Sequence, residues 1–157
     1  MSAPSQSGGA SITDERQLVE YFENACKPPS RWRLGTEHEK FVFDRETLRP
    51  LPYEGDQSIS AFLEKLTRFG WTPMQENGRT VALELGDCHI TLEPGGQLEL
   101  AGAPLYTIHE TCDEIHTHLR QVKEVAADMN VGLIGLGFQP KWSRAESPWM
   151  PTERYEI

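Results

Sequence analysis

Apolar and polar positions along the chain follow two periods, and they change in a definite order. Leu18, Val19, Phe22 and Ala25 recur at helical spacing, with Thr13 or Ser11 as the expected cap and Asp14 and Glu15 in the first turn, and Lys27-Pro28-Pro29 stops the pattern. Residues 32–43 alternate, as a strand does. Ile59, Phe62, Leu63, Leu66 and Phe69 return to helical spacing, with Asp56 as the expected cap and Gly70 where a left-handed C-terminal residue belongs. Residues 71–76 and 80–85 flank Asn77-Gly78, the strongest short-range hairpin signal. Gly86-Asp87 and Pro94-Gly95-Gly96 punctuate two further strands, 88–93 and 97–101. Ile108, Cys112, Ile115, Leu119, Val122, Ala126 and Met129 then mark a long helix that Thr107 and Glu110 close with a capping box. On this reading its apolar stripe packs on the sheet and Cys112 is a packing residue. A glycine-broken strand, 131–138, follows, and beyond Trp142 periodicity fails although Trp149, Met150, Tyr155 and Ile157 are large and apolar.

Strands in a meander with helices set among them, and no strict β-α-β alternation, predict an α+β fold with an antiparallel sheet covered by helices on one side. The small polar residues of 1–11 read as a disordered leader, and 12–157 as one domain.

The chemistry sits in two of the strands. In Gly35-Thr36-Glu37-His38-Glu39-Lys40-Phe41 alternation puts Glu37 and Glu39 on one face, about 6.5–7 Å apart at Cα, and His38 on the other. In Leu92-Glu93-Pro94-Gly95-Gly96-Gln97-Leu98-Glu99-Leu100, Glu93 closes one strand while Gln97 and Glu99 share a face of the next. Like charges so placed repel unless a proton or a cation lies between them. Oxygen ligands without Cys or His company suit Mg²⁺ or Mn²⁺. Because Mg²⁺ takes only one or two protein carboxylates, four imply more than one ion, with a nucleotide between. The plain alternative is a solvated sheet face with turn-flanking acids.

Composition narrows the partners. Lys and Arg total 15 against 24 Asp and Glu, a net charge of −9, which argues against nucleic acid or an anionic membrane surface. Nothing in the chain reads as a membrane span or a targeting peptide. Three widely spaced cysteines are no disulfide framework, and a cytoplasmic location is expected. The Gly-rich loop with Lys-Ser/Thr that cradles phosphate in P-loop enzymes is absent.

Both acidic motifs, together with Thr47-Leu48-Arg49-Pro50, Ala103-Pro104-Leu105, His109-Glu110-Thr111-Cys112, Gly137-Phe138-Gln139-Pro140-Lys141-Trp142, Met150-Pro151 and Arg154-Tyr155, resemble glutamate–cysteine ligase of the plant and proteobacterial type. The resemblance implies a glutamine-synthetase-like carboxylate–amine ligase fold. It implies that glutamate and ATP form γ-glutamyl phosphate and that the cysteine amine then displaces phosphate, the first step to glutathione. By the same resemblance Glu37, Glu39, Glu93 and Glu99 hold Mg²⁺ or Mn²⁺, while Gln139, Lys141 and Arg154 are candidate substrate contacts. Redox control through cysteines, Cys112 here, is a further implication. The family's chains are several times longer, so this one is expected to be an amino-terminal piece, inactive alone. A ligase with another acceptor amine and a non-catalytic metal-binding or interaction domain are the alternatives.

Overall fold

In a computed structural model, residues 10–152 and Tyr155 are described. Six strands form one antiparallel sheet: β1 (Glu37–Asp44), β2 (Thr72–Glu76), β3 (Arg79–Leu85), β4 (Cys88–Glu93), β5 (Gln97–Ala101) and β6 (Val131–Ile134). Their spatial order is β2-β3-β4-β5-β1-β6. The meander therefore runs from one edge to β5, and the amino-terminal acidic strand inserts between β5 and β6. Asn77 (φ 51) and Gly78 (φ 76) make the predicted hairpin turn, both in the left-handed region that the turn type demands.

Among the described residues the α-helices are α1 (Glu15–Ala25), α2 (Ile59–Leu66) and α3 (Ile108–Met129). Ser58 caps α2, two residues beyond the expected Asp56, and Asp14, in place of the expected Thr13 or Ser11, caps α1 by accepting from the Arg16 amide. Thr107 and Glu110 form the α3 capping box, and Asn130 ends that helix in a left-handed conformation. The predicted strand 32–43 begins only at Glu37, because Pro29–Arg31 is a 3₁₀ turn and Leu34 makes an isolated bridge to Leu105. Likewise β6 stops at Ile134.

Helices α2 and α3 cover one face of the sheet. Phe62, Leu63, Leu66, Leu83, Ile90, Leu92, Leu98, Leu100, Val122 and Val125 are fully buried between the layers. Two expectations are corrected here. Helix α1 buries none of its residues, and Tyr21 and Phe22 are about seven-tenths exposed. The buried face of α3 is also rotated from the predicted stripe: Thr111, His118, Gln121, Val122, Val125 and Ala126 are inside, whereas Ile108 and Cys112 are exposed. Cys112 lies 3.5 Å (Sγ to Nδ1) from His116 on the outer surface. The reason is that the first half of α3 meets the sheet with polar side chains, which an apolar period cannot register. After Trp142 the chain hides more than its pattern foretold, with Met150 buried and Tyr155 packed on the core, while Trp149 stays exposed.

Gly132 marks the closest approach in β6. A Cβ there would lie 2.3 Å from the Phe43 ring. Gly132→Ala is therefore expected to cost about 1–3 kcal/mol through overpacking, read as a lower urea midpoint at unchanged slope. An unchanged midpoint would show that the ring moves freely. Among the described residues no helix is long and apolar enough to cross a membrane.

Candidate metal centre

The sheet face turned away from α2 and α3 carries the acids. In the ladder Glu39 lies opposite Glu99, Glu37 opposite Ala101 and Phe41 opposite Gln97. On the other side of β5, Thr91 lies opposite Glu99 and Glu93 opposite Gln97. Directly opposed residues share a face, with Cβ atoms about 4.5–5.5 Å apart. Glu99 is thus central, with Glu39 beside it on β1, Glu93 diagonal on β4 and Glu37 diagonal on β1. Leu98 and Leu100 point the other way, into the core. That alternation is what forces Glu99 outward, onto the open face.

Glu99 is only 3% exposed. Burial, a hydrogen bond with Glu93 and the charges of Glu93 and Glu37 push its carboxyl up to about 7. Burial and the neighbouring acids thus bias the Glu99 carboxyl toward its protonated form. Glu39 is half-buried and accepts a 2.8 Å hydrogen bond from the Gln97 amide, which also donates to the Leu136 carbonyl at 2.9 Å. Gln97 therefore ties the segment after β6 to the acidic face. The Tyr155 hydroxyl lies 3.2 Å from the Leu92 carbonyl and 3.3 Å from a Glu93 oxygen.

Among the described residues no three His, Cys, Asp or Glu side chains meet as a ready-made metal cage. The geometry gives a cause: Glu39 is turned to the Gln97 amide. The donor set nonetheless fits a hard divalent cation. It is all oxygen, and it is centred on a buried carboxyl beside other acids whose repulsion a cation would relieve.

A cavity of about 740 Å³ adjoins this face, walled by Phe41, Gln97, Phe138, Gln139, Trp142 and Trp149 among others. Of the candidate substrate contacts, Gln139 lines it and accepts from its neighbour's backbone, Lys141 N, at 3.1 Å. Lys141 is exposed, with Nζ 4.9 Å from the Trp142 ring centre, and it is outside the lining. Arg154 lies outside the described residues. Sequence reasoning missed the aromatic wall and Arg144, which also lines the cavity. Phe41 was legible by alternation with Glu37 and Glu39, but the Trp142–Tyr155 stretch has no period to read. His38 faces α3, away from the acids, with its ring 6.4 Å from that of His118.

Fold and face together define an α+β domain that presents a carboxylate-lined antiparallel sheet on one side and a helical layer on the other. The sequence profile of glutamate–cysteine ligase family 2 matches residues 33–157, and the chain belongs to that family. It is 49% identical over 144 residues to a chloroplastic glutamate–cysteine ligase of Medicago truncatula, covering 91% of this chain and 28% of that protein. It is 48% identical to ligase A of Oryza sativa subsp. japonica (91% of this chain, 29% of that protein) and to the Arabidopsis thaliana ligase (89% and 26%). The chain thus spans less than a third of the length of the curated relatives it matches. These relatives are named chloroplastic, which overturns the cytoplasmic expectation. Unpaired, widely spaced cysteines speak to redox state and not to which compartment provides it.

Proposed function

We propose that this chain supplies the cation- and phosphate-binding face of an ATP-dependent glutamate–cysteine ligase. The observation that carries the reading is the buried Glu99 carboxyl, opposite Glu39 and diagonal to Glu93 and Glu37 on the sheet face turned away from the helices. Glu37, Glu39, Glu93 and Glu99 would hold Mg²⁺ or Mn²⁺, which when bound neutralises charge on the β- and γ-phosphates of ATP. Gln97 orients Glu39, and Tyr155 steadies Glu93. The cavity beside Gln97 gives substrate a place next to the carboxylates. In the proposed reaction the γ-carboxylate of glutamate attacks the γ-phosphorus and ADP leaves. The cysteine amine then attacks the acyl phosphate, phosphate leaves, and the amine proton passes to solvent or a base. A glutamine-synthetase-like arrangement of the whole ligase belongs to the same proposal.

The test is thermal unfolding of the chain with and without Mg²⁺ or Mn²⁺ at two pH values. The folded pKa of Glu99 lies above the ordinary 4.5. Its contribution to stability is therefore full below about 4.5 and is lost as pH rises through about 7. A cation that takes the proton's place restores what is lost, so the melting temperature should rise with cation at pH 8 and much less at pH 5.5. Saturation a hundredfold above Kd is worth about 2.7 kcal/mol, a shift of several degrees. Equal shifts at both pH values, or none at pH 8, would remove the reading.

A further inference from the structure

On the reverse side of β1, opposite the acids, lies a buried cation. Lys40 is 2% exposed and so is His118 of α3. Lys40 Nζ is 2.8 Å from His118 Nε2 and donates to the His38 carbonyl at 2.9 Å. Among the described residues no carboxylate is in ion-pair range of it. Burying an ammonium without an anion costs several kcal/mol, and an apolar residue of similar volume would serve packing better. The register puts Lys40 opposite Leu98, in the same layer that α3 covers elsewhere with Val122, Val125 and Ala126.

A lysine ammonium has no lone pair, so in this contact it donates, Nε2 of His118 accepts, and the ring proton belongs on Nδ1. The His38 carbonyl is half of the peptide group that joins His38 to Glu39. The ammonium thus grips, from below, the unit that carries Glu39. The surrounding seam is polar along its length: Thr36 Oγ1, His38 Nδ1, Glu114 Oε2 and His118 Nδ1 are buried without a hydrogen-bond partner among the described residues. Thr36 and Glu114 meet over Gly102, where a Cβ would be 2.2 Å from Glu114 Oε2 and 2.9 Å from Thr36 Oγ1.

We propose that Lys40 is a positioning residue for the acidic face, fastened beneath β1 by His118, and that it fixes how the strand presents Glu39 to Glu99. The role in cation binding rests on the function proposed above; the positioning does not. A buried polar pair retained for geometry and not for stability has a distinct signature. In Lys40→Met the melting temperature should hold or rise, while Mn²⁺ affinity falls about 10-fold or more, the usual loss when a group behind a ligand is removed. His118→Gln keeps an oxygen acceptor for the ammonium and should retain wild-type affinity, whereas His118→Leu should behave as Lys40→Met. ¹⁵N spectra of the imidazole should show the Nδ1–H tautomer in the wild type and its loss in Lys40→Met. Unchanged or increased Mn²⁺ affinity in Lys40→Met would overturn the proposal, since charge repulsion through the sheet would then be the ammonium's sole effect. A proton on Nε2 of His118 would overturn it as well. If the wild-type chain binds no Mn²⁺, the cation reading of the acidic face fails by itself. The backbone amide resonances then decide the seam: those of Glu39 and Glu99 must shift in Lys40→Met and His118→Leu and stay in His118→Gln, and their failure to do so sinks the positioning role.

Discussion

Glu99→Gln in a full-length ligase carrying this segment should lower kcat by roughly 10²-fold or more, with the fold intact. Gln is nearly isosteric and can still bond Glu93 through its amide, so the ladder from β1 to β4 has no reason to change. What disappears is a full negative charge at the centre of the face. A preorganised charge in a water-poor site contributes about 3 kcal/mol to the transition state, the equivalent of that factor. Glu39→Gln should act in the same direction, because its partner Gln97 donates equally well to an amide oxygen. Steady-state kinetics over a Mg²⁺ titration separates the causes. Partial recovery at high Mg²⁺ marks lost affinity, and a flat deficit marks lost transition-state charge. Wild-type turnover in both variants at low Mg²⁺ would end the assignment of these carboxylates.

The placement of the acids was legible because a strand has only two faces. Once Leu98 and Leu100 are assigned inward, Gln97 and Glu99 must point out, and Glu37 and Glu39 follow when β1 pairs with β5. Turn chemistry was legible for a similar reason. Asn77-Gly78 and Asn130 take left-handed conformations that few other residues tolerate. What pattern could not supply was the choice between faces where both are mixed. The apolar period of α3 pointed to Ile108 and Cys112, yet the helix turns Thr111 and His118 inward, and His118 there meets Lys40. A polar contact across 78 residues leaves no periodic trace. The link from Gln97 to Leu136 is equally non-local: a glutamine beside a glutamate reads as surface until β6 brings the Leu136 carbonyl within reach. The burial of Met150 under an aperiodic segment is of the same kind, since it fills space beside Gly96, where a Cβ would be 3.3 Å from its Cε.

The acidic face depends on the layer behind it, and Phe62→Ala should expose that dependence. Phe62 is 0% exposed in α2, clustered with Leu66, Leu83 and Leu98 in one core. The substitution removes a fully buried ring from between α2 and the sheet. The lost transfer energy and the cavity together should cost about 3–5 kcal/mol, a third or more of the stability of an ordinary domain. Leu98 belongs to the same core and lies between Gln97 and Glu99 on β5. Leu98→Ala should therefore cost about 2–5 kcal/mol and loosen the strand that carries the central carboxylate. Urea denaturation gives the stability, and Mn²⁺ affinity measured well below the midpoint gives the effect on the face. In Phe62→Ala affinity should survive while the chain is folded, because the cavity lies two layers from the acids. In Leu98→Ala affinity should fall together with stability, because the same strand bears both. Equal retention of affinity in the two variants would mean that the face is held by its own hydrogen bonds, Gln97 to Glu39 and Leu136, and not by the core beneath it.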